Sequence, residues 1–425
     1  MFRSLFLGFV SVGLLVGCAT QKVSTSTEGL TYVGLADAQN SFVRTIHPVG
    51  GRCDVVRVKR ANAVTDFGLP MNEKKFDDAV ICEANLPENT VEVQSSISHI
   101  VIPEKPKRIV IMGDTGCRLK GNYVQNCNDE MEWPFARVVR SVEKENADLI
   151  IHVGDYHYRE TCTDPAKCAP FMGNLGYGYK PWEADFFGPA ASLLKVKPWI
   201  FVRGNHEDCK RAHEGFSKML TPLGEEVCPV AQDTRYTSMG GILFVNFDNA
   251  SFDDRPMDAK STDVKEVRER WKKMVETIKS RPEKEVWLLT HRPIWGLAPI
   301  WNGPAGVVSV NANMQMIAKE IPLPKKVKLV FAGHIHNFQI STAGDHPTHV
   351  VVGESGTALD YYNDETRKMI PAGYNVFPSD HGYLVMEKDR SEKWVGVIKS
   401  YDGKTDFTCA LEDPGVPCVD SGNRK

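Results

Sequence analysis

The sequence predicts an α/β fold: a two-sheet β-sandwich flanked by helices, with a small N-terminal β-domain in front of it. Three observations predict it. Short apolar runs closed by a turn recur five times in mid-chain: IVIMGDTG, DLIIHVGDYHY, WIFVRGNHE, VWLLTHRP and KLVFAGHIH. Each reads as a buried strand that delivers polar side chains at its C-terminal end. Longer segments of helical period lie between some of these runs. Strand-rich stretches then flank this alternating middle on both sides, which favours two packed sheets over one doubly wound sheet.

With 425 residues, the chain can bury a large core and hold more than one domain. Charged residues make up 25% of it and the formal net charge is -3, without a sustained basic stripe. That balance argues against nucleic acid as a structural partner.

Taken in order, residues 1–17 read as a signal peptide. Arg3 precedes an apolar run, 5–15, too short to span a bilayer permanently. The run ends in LVGC, which resembles a bacterial lipoprotein cleavage box. That resemblance implies cleavage before Cys18, lipidation of Cys18, and a membrane anchor at that residue. Ala19 follows rather than aspartate, so an outer-membrane anchor facing the periplasm is expected. Residues 18–31 are small and polar, a flexible tether. Residues 32–104 hold strand-like pieces (CDVVRVKRA, DAVICEANL, TVEVQSS, SHIVIPE) and no catalytic constellation. The main domain is expected over 105–405, and 406–425 is a polar tail.

Within the main domain, 130–146 places Phe135, Val138, Val139 and Val142 on one helical face. The clearest helix is 261–280. It carries a stripe of Val264, Val267, Trp271, Met274, Val275 and Ile278, has Thr262 as a candidate N-cap, and ends before Pro282. A shorter helix is expected over 311–320.

Of eleven cysteines, setting Cys18 aside leaves ten, an even number in an exported chain. Sequence does not fix the connectivity, but neighbour pairing gives Cys53–Cys82, Cys117–Cys127, Cys162–Cys168, Cys209–Cys228 and Cys409–Cys418. Three of these would brace loops just beyond Asp114, Tyr158 and Asn205. No CxxC pair is present to suggest a cysteine zinc site.

The strand ends carry Asp114, Asp155, Tyr158, Asn205, His291, His334 and His336. Such oxygen and nitrogen donors suit Fe, Mn or Zn. Seven are too many for one tetrahedral ion and right for two, with one carboxylate bridging. Two ions about 3.5–4 Å apart can clamp a phosphoryl group during displacement.

The motifs GDTG, GDYHY, GNHE, LLTH and GHIH, in this order, resemble those of the purple acid phosphatases, a branch of the calcineurin-like metallophosphoesterases. The resemblance implies the calcineurin-like metallophosphoesterase fold and hydrolysis of phosphate monoesters by a metal-bound hydroxide, on a small phosphorylated substrate. It further implies Fe(III) held by Asp114, Asp155, Tyr158 and His336. A divalent ion (Fe, Zn or Mn) would be held by Asp155, Asn205, His291 and His334. His206 would contact phosphate and protonate the leaving group. Two departures from the wider superfamily select the branch: Gly116 stands where a histidine ligand is usual, and Tyr158 replaces it. A phenol titrating near about 10 needs a strong Lewis acid to ionise at neutral pH.

Arg292, following His291, is a candidate phosphate contact, with a surface or salt-bridge role as the alternative. His152 reads as a core residue, and Glu207 and Asp208 as groups that orient His206 or cap the next segment. His157 and Arg159 carry no assigned role, and His213, His346, His349 and His381 no expected one. Loops 160–185 and 293–312, with Tyr177, Tyr179, Trp182, Trp295 and Trp301, are candidate cleft walls. Two other functions fit less well: a phosphodiesterase using the same metals, and a non-catalytic surface lipoprotein. The second is disfavoured because all seven donors and His206 are present.

Overall fold

The computed structural model describes residues 29–422, apart from 49, 225–226, 301–303, 343–345, 379 and 414. The expected signal peptide, Cys18, most of the tether and Trp301 lie outside the described residues. Among the described residues no helix is long and apolar enough to cross a membrane.

Two large sheets face each other. The first has eleven strands, with Arg108–Met112, Leu149–His152, Pro198–Phe201 and Leu30–Gly34 side by side and parallel at its centre. The second has seven, with Ile242–Asn246, Glu285–Leu289, Val327–Ala332 and Thr348–Val352 parallel at its centre. The period-2 alternation of each strand explains the layering. Ile109, Ile111, Leu149, Ile151 and Ile200 point inward, where they meet Phe244, Trp287, Leu289, Leu329 and Phe331 of the second sheet. The intervening residues point outward and are covered by helices. Val110, Met112, Ile150 and Trp199 lie under Phe135–Val142 and Gly188–Leu194. Leu243, Val245, Val286 and Leu288 lie under Thr262–Ser280 and Ala312–Glu320. The stripe read from 261–280 is the buried face of that helix, with Trp271 donating to Ile321 O at 2.8 Å. Its N-cap is Ser261, one residue before the expected Thr262.

The N-terminal segment is β-rich as expected, and its strands divide between two sheets. Leu30–Gly34, Phe42–His47, Ala79–Asn85 and Asn72–Phe76 extend the eleven-stranded sheet, through the parallel pairing of Leu30–Gly34 with Pro198–Phe201. Val56–Arg60, Phe67–Leu69, Thr90–Gln94 and His99–Val101 form a four-stranded sheet. Its Val56, Val58, Val93 and Ile100 join the inter-sheet core. The tail read from 406 is also more ordered than its polarity suggested. Thr405–Ala410 and Cys418–Asp420 close the other edge of the large sheet, joined by Cys409–Cys418.

All five disulfides pair the cysteines as expected from neighbour spacing. The C-terminal ends of the two parallel cores point the same way, and the five loops that leave them converge.

Candidate metal centre

Three of the loop residues that deliver donors have left-handed backbone: Asp114 (φ 55), Asp155 (φ 59) and His334 (φ 74). Such conformations cost non-glycine residues about 1–3 kcal/mol each and persist where the surroundings over-determine them. Two buried acids do this. Glu207 Oε2 accepts the backbone N–H groups of Gly204 at 3.0 Å and Asp155 at 3.1 Å; its Oε1 accepts those of Tyr156 at 2.9 Å and His157 at 3.1 Å. It therefore ties the third block to the second. Asp185 Oδ2 accepts from Tyr158 N at 2.7 Å and Arg159 N at 3.1 Å; its Oδ1 accepts from Cys117 N at 3.1 Å and Arg159 Nε at 2.6 Å. Arg159 is thus a buried structural ion pair. His152 is the satisfied core residue expected, held by Thr115 Oγ1 at 2.9 Å and Gly154 N at 3.1 Å.

The loops bring all seven donors together. Tyr158 Oη lies 2.8 Å from Asp155 Oδ2, 3.0 Å from Asp114 Oδ1 and 3.1 Å from His336 Nε2. On the other side of Asp155, His291 Nε2 lies 3.3 Å from Asp155 Oδ2 and 3.0 Å from Asn205 Oδ1. Asp155, His291 and His334 offer donor atoms within 4.8 Å of one another. Asp155 therefore belongs to both groups. His334 is joined to the first block through its backbone N–H, which donates to Asp114 Oδ2 at 2.9 Å.

Backbone carbonyls set the histidine tautomers. His291 Nδ1 donates to Val153 O at 2.8 Å and His336 Nδ1 to Ala358 O at 2.9 Å, so each neutral ring turns a bare Nε2 inward. His334 Nε2 donates to Asp254 Oδ2 at 2.7 Å, which leaves its Nδ1 as the donor. Near Asn205, three acceptors then face one another with no proton between them, an arrangement that a cation resolves. The residues present fit bound metal. Burial also holds His336 down to about 4 and lowers His334, keeping both rings neutral for ligation. Burial, and then Asp155, pushes Asp114 well above the usual carboxylate range.

Gly116 shows why Tyr158 is needed. A Cβ there would meet Tyr156 O at 2.7 Å and Tyr158 Cδ2 at 2.9 Å. Tyr158 and its backbone fill the space beside position 116, where a histidine side chain would have to start.

His206 packs its ring over Tyr158, with centroids 4.0 Å apart. Its Nδ1 lies 2.9 Å from Glu160 Oε1, and its Nε2 faces the centre, 3.9 Å from Asp155 Oδ2. Arg292 takes the salt-bridge alternative rather than a place in the cleft. Its guanidinium is held by Asp254 and by Ala250 O at 2.8 Å, beside His334, and it does not line the cleft. It works through Asp254 as a brace on His334. Burial would raise the Asp254 carboxyl, but His334 and Arg292 hold it down to about 2.

The centre opens into a cleft of about 560 Å³ lined by Arg118, Lys120, Tyr123, His206, Asp254, Asp360 and four of the donors, Asp155, Asn205, His334 and His336. Among the described residues, the candidate wall aromatics pack instead, and Tyr177 lies against the core. Tyr179 and Trp182 lie in the core, and Trp295 stacks on His346. His213, His349 and His381 are likewise outside the cleft lining. Sequence reasoning missed Asp185, Asp254, Glu160, Arg118 and Lys120, none of which lies in a glycine-closed strand end. One signal was available: a charged Arg159 inside a buried block demands a counter-charge.

The calcineurin-like phosphoesterase family model matches residues 107–338, over half of the chain. The chain belongs to the calcineurin-like phosphoesterases. The family is one of metal-dependent phosphatases, and membership implies two metal ions and a phosphorylated substrate. Among solved structures, a purple acid phosphatase, PPD1 from yellow lupin seeds, aligns at a TM-score of 0.55. It is 14% identical, over 88% of this chain and 72% of that one. That likeness shows the fold of this calcineurin-like phosphoesterase. A dimetal phosphatase from Danio rerio aligns at 0.43 with 12% identity, over 73% of this chain and 100% of that one. No curated protein sequence matches.

Proposed function

We propose that the chain is a phosphomonoesterase of the purple acid phosphatase type. Asp114, Asp155, Tyr158 and His336 would hold Fe(III), and Asp155, Asn205, His291 and His334 a divalent Fe, Zn or Mn. The observation that carries this reading is the Tyr158 hydroxyl within 3.1 Å of Asp114, Asp155 and His336, next to a Gly116 that leaves no room for a histidine. Two ions held there would supply positive charge and Lewis acidity to a phosphoryl group.

The chain's own residues do the rest. His206 Nε2, aimed at the centre, donates a proton to the leaving oxygen. Burial lowers the pKa of the ring, opposed by Asp155 and then by Glu160, which lies 2.9 Å from Nδ1 and orients it. Glu207 and Asp185 fix the loops so that little reorganisation accompanies reaction.

Export and lipid anchoring at Cys18, in the outer membrane facing the periplasm, are part of the same proposal. Five disulfides suit an oxidising compartment. Membrane fractionation of Cys18→Ala against wild type tests the anchor; retention of the variant in the membrane would end the idea.

The decisive experiment is a visible spectrum of the iron-loaded soluble protein beside Tyr158→Phe, with p-nitrophenyl phosphate and its bis-ester assayed in parallel. A visible band lost in the variant and a preference for the monoester are expected. Bound iron without a band overturns the Tyr158 assignment, and a preference for the bis-ester makes the protein a phosphodiesterase.

A further inference from the structure

We infer that Arg118 and Lys120 select phosphate esters whose leaving group carries a second anionic group, an inference that rests on the phosphatase reading above. Both belong to a short hairpin, Leu119–Lys120 with Tyr123–Val124, closed by Cys117–Cys127. The hairpin is fixed to the segment that carries the tyrosine ligand. Leu119 N donates to Tyr158 O at 3.0 Å, Glu160 N to Leu119 O at 3.1 Å and Thr163 N to Gly121 O at 2.8 Å. Buried Gln125 anchors its base, accepting from Arg118 N at 2.8 Å and donating to Glu132 O at 2.6 Å and Gly356 O at 3.0 Å. A rigid arm thus carries two cations and Tyr123 into the cleft wall.

The Arg118 guanidinium has no acid to answer it. Among the described residues no carboxylate is ion-paired with it, and the polar atom it approaches is His336 Nδ1 at 3.4 Å. That nitrogen already gives its proton to Ala358 O and cannot accept another. The guanidinium also lies over the Tyr123 ring, 5.6 Å from its centroid, but a half-buried cation with no direct ion pair still favours an anion beside it. Asp254 Oδ2 is held by Arg292 and His334; Asp360 Oδ2 accepts the His336 backbone N–H at 3.0 Å, and its Oδ1 lies 3.7 Å from His336 Nδ1 without forming an ion pair with Arg118.

Position decides which anion. His336 turns Nε2 toward the metal centre, and Arg118 lies at the opposite ring nitrogen, so the guanidinium is offset from the reacting phosphorus. Lys120, two residues on, lies 3.8 Å from Glu160 Oε2, the acid behind His206. His206 serves the leaving oxygen, so the cation near it faces the leaving group. A planar guanidinium with a neighbouring ammonium suits a phosphate or carboxylate on that group.

The test compares kcat/KM for ADP, whose leaving group carries a second phosphate, with p-nitrophenyl phosphate, whose leaving group carries no phosphate or carboxylate, on metal-loaded wild type, Arg118→Ala and Arg118→Lys. The ratio of the two values cancels any loss of active protein. Arg118→Ala is expected to lower the ADP-to-p-nitrophenyl phosphate ratio by about tenfold or more, as one charge-assisted contact warrants, with Arg118→Lys intermediate. A ratio that moves by less than about threefold in Arg118→Ala overturns the inference, since a charge-assisted contact is worth more than that. If wild type hydrolyses neither ester, the phosphatase reading fails and this inference falls with it.

Discussion

The backbone N–H of Tyr158 donates to Asp185 Oδ2 at 2.7 Å, across 27 residues of chain. Asp185 is fully buried in a π-helical turn, Glu183–Phe187, and accepts four hydrogen bonds from the first and second blocks. Asparagine there would turn an amide against donors, at about 1–3 kcal/mol for each one orphaned. Asp185→Asn is therefore expected to lose about 3 kcal/mol in urea unfolding and to lose activity together with the Tyr158-dependent band. Stability within about 0.5 kcal/mol of wild type would show that Asp185 does not hold the loop.

The strand ends were legible because each is an apolar run closed by a turn and followed at once by its donor. A parallel α/β sheet gathers such ends in one place. Partners were not legible. Period-2 alternation tells which face of Leu30–Gly34 is buried but not that Pro198–Phe201 lies beside it. The partner of Arg292 was hidden for a related reason. Asp254 comes from a loop 38 residues upstream, and nothing in THRPIW announces it. Asp185 and Glu160 are hidden in the same way, since a carboxylate outside a motif looks the same whether it faces solvent or four buried donors.

Glu354 predicts a pH dependence of stability. It is 1% exposed, and neither carboxylate oxygen has a hydrogen-bond partner among the described residues. Burial, and then Asp406, raises its pKa well above the ordinary glutamate value. The folded chain therefore keeps a proton that the unfolded chain releases. This contribution to stability is complete below the unfolded pKa and is lost as pH rises toward the folded one. Glu354→Gln removes the titration. In thermal melts from about pH 4 to pH 8 the variant is expected to gain on wild type steadily with pH, because only wild type titrates across that window. Parallel melting curves for the two proteins would show that Glu354 ionises freely in the fold.

His206 makes its prediction through the leaving group. Its Nε2 faces the centre while Glu160 meets Nδ1 at 2.9 Å, so removing the ring removes a positioned proton. A leaving group that is already a stable anion hardly needs that proton, whereas an alkoxide does. General acid catalysis is worth about 10²–10⁴-fold where it is needed, so His206→Asn should lower kcat by about a hundredfold or more on an alkyl phosphate. The loss on p-nitrophenyl phosphate should be much smaller, because nitrophenolate departs without help. Glu160→Gln leaves the ring in place but loosens it and removes its counter-charge, so its losses should follow the same order of substrates at lower amplitude. Equal losses on both esters in His206→Asn would mean that the ring binds phosphate without protonating the leaving oxygen.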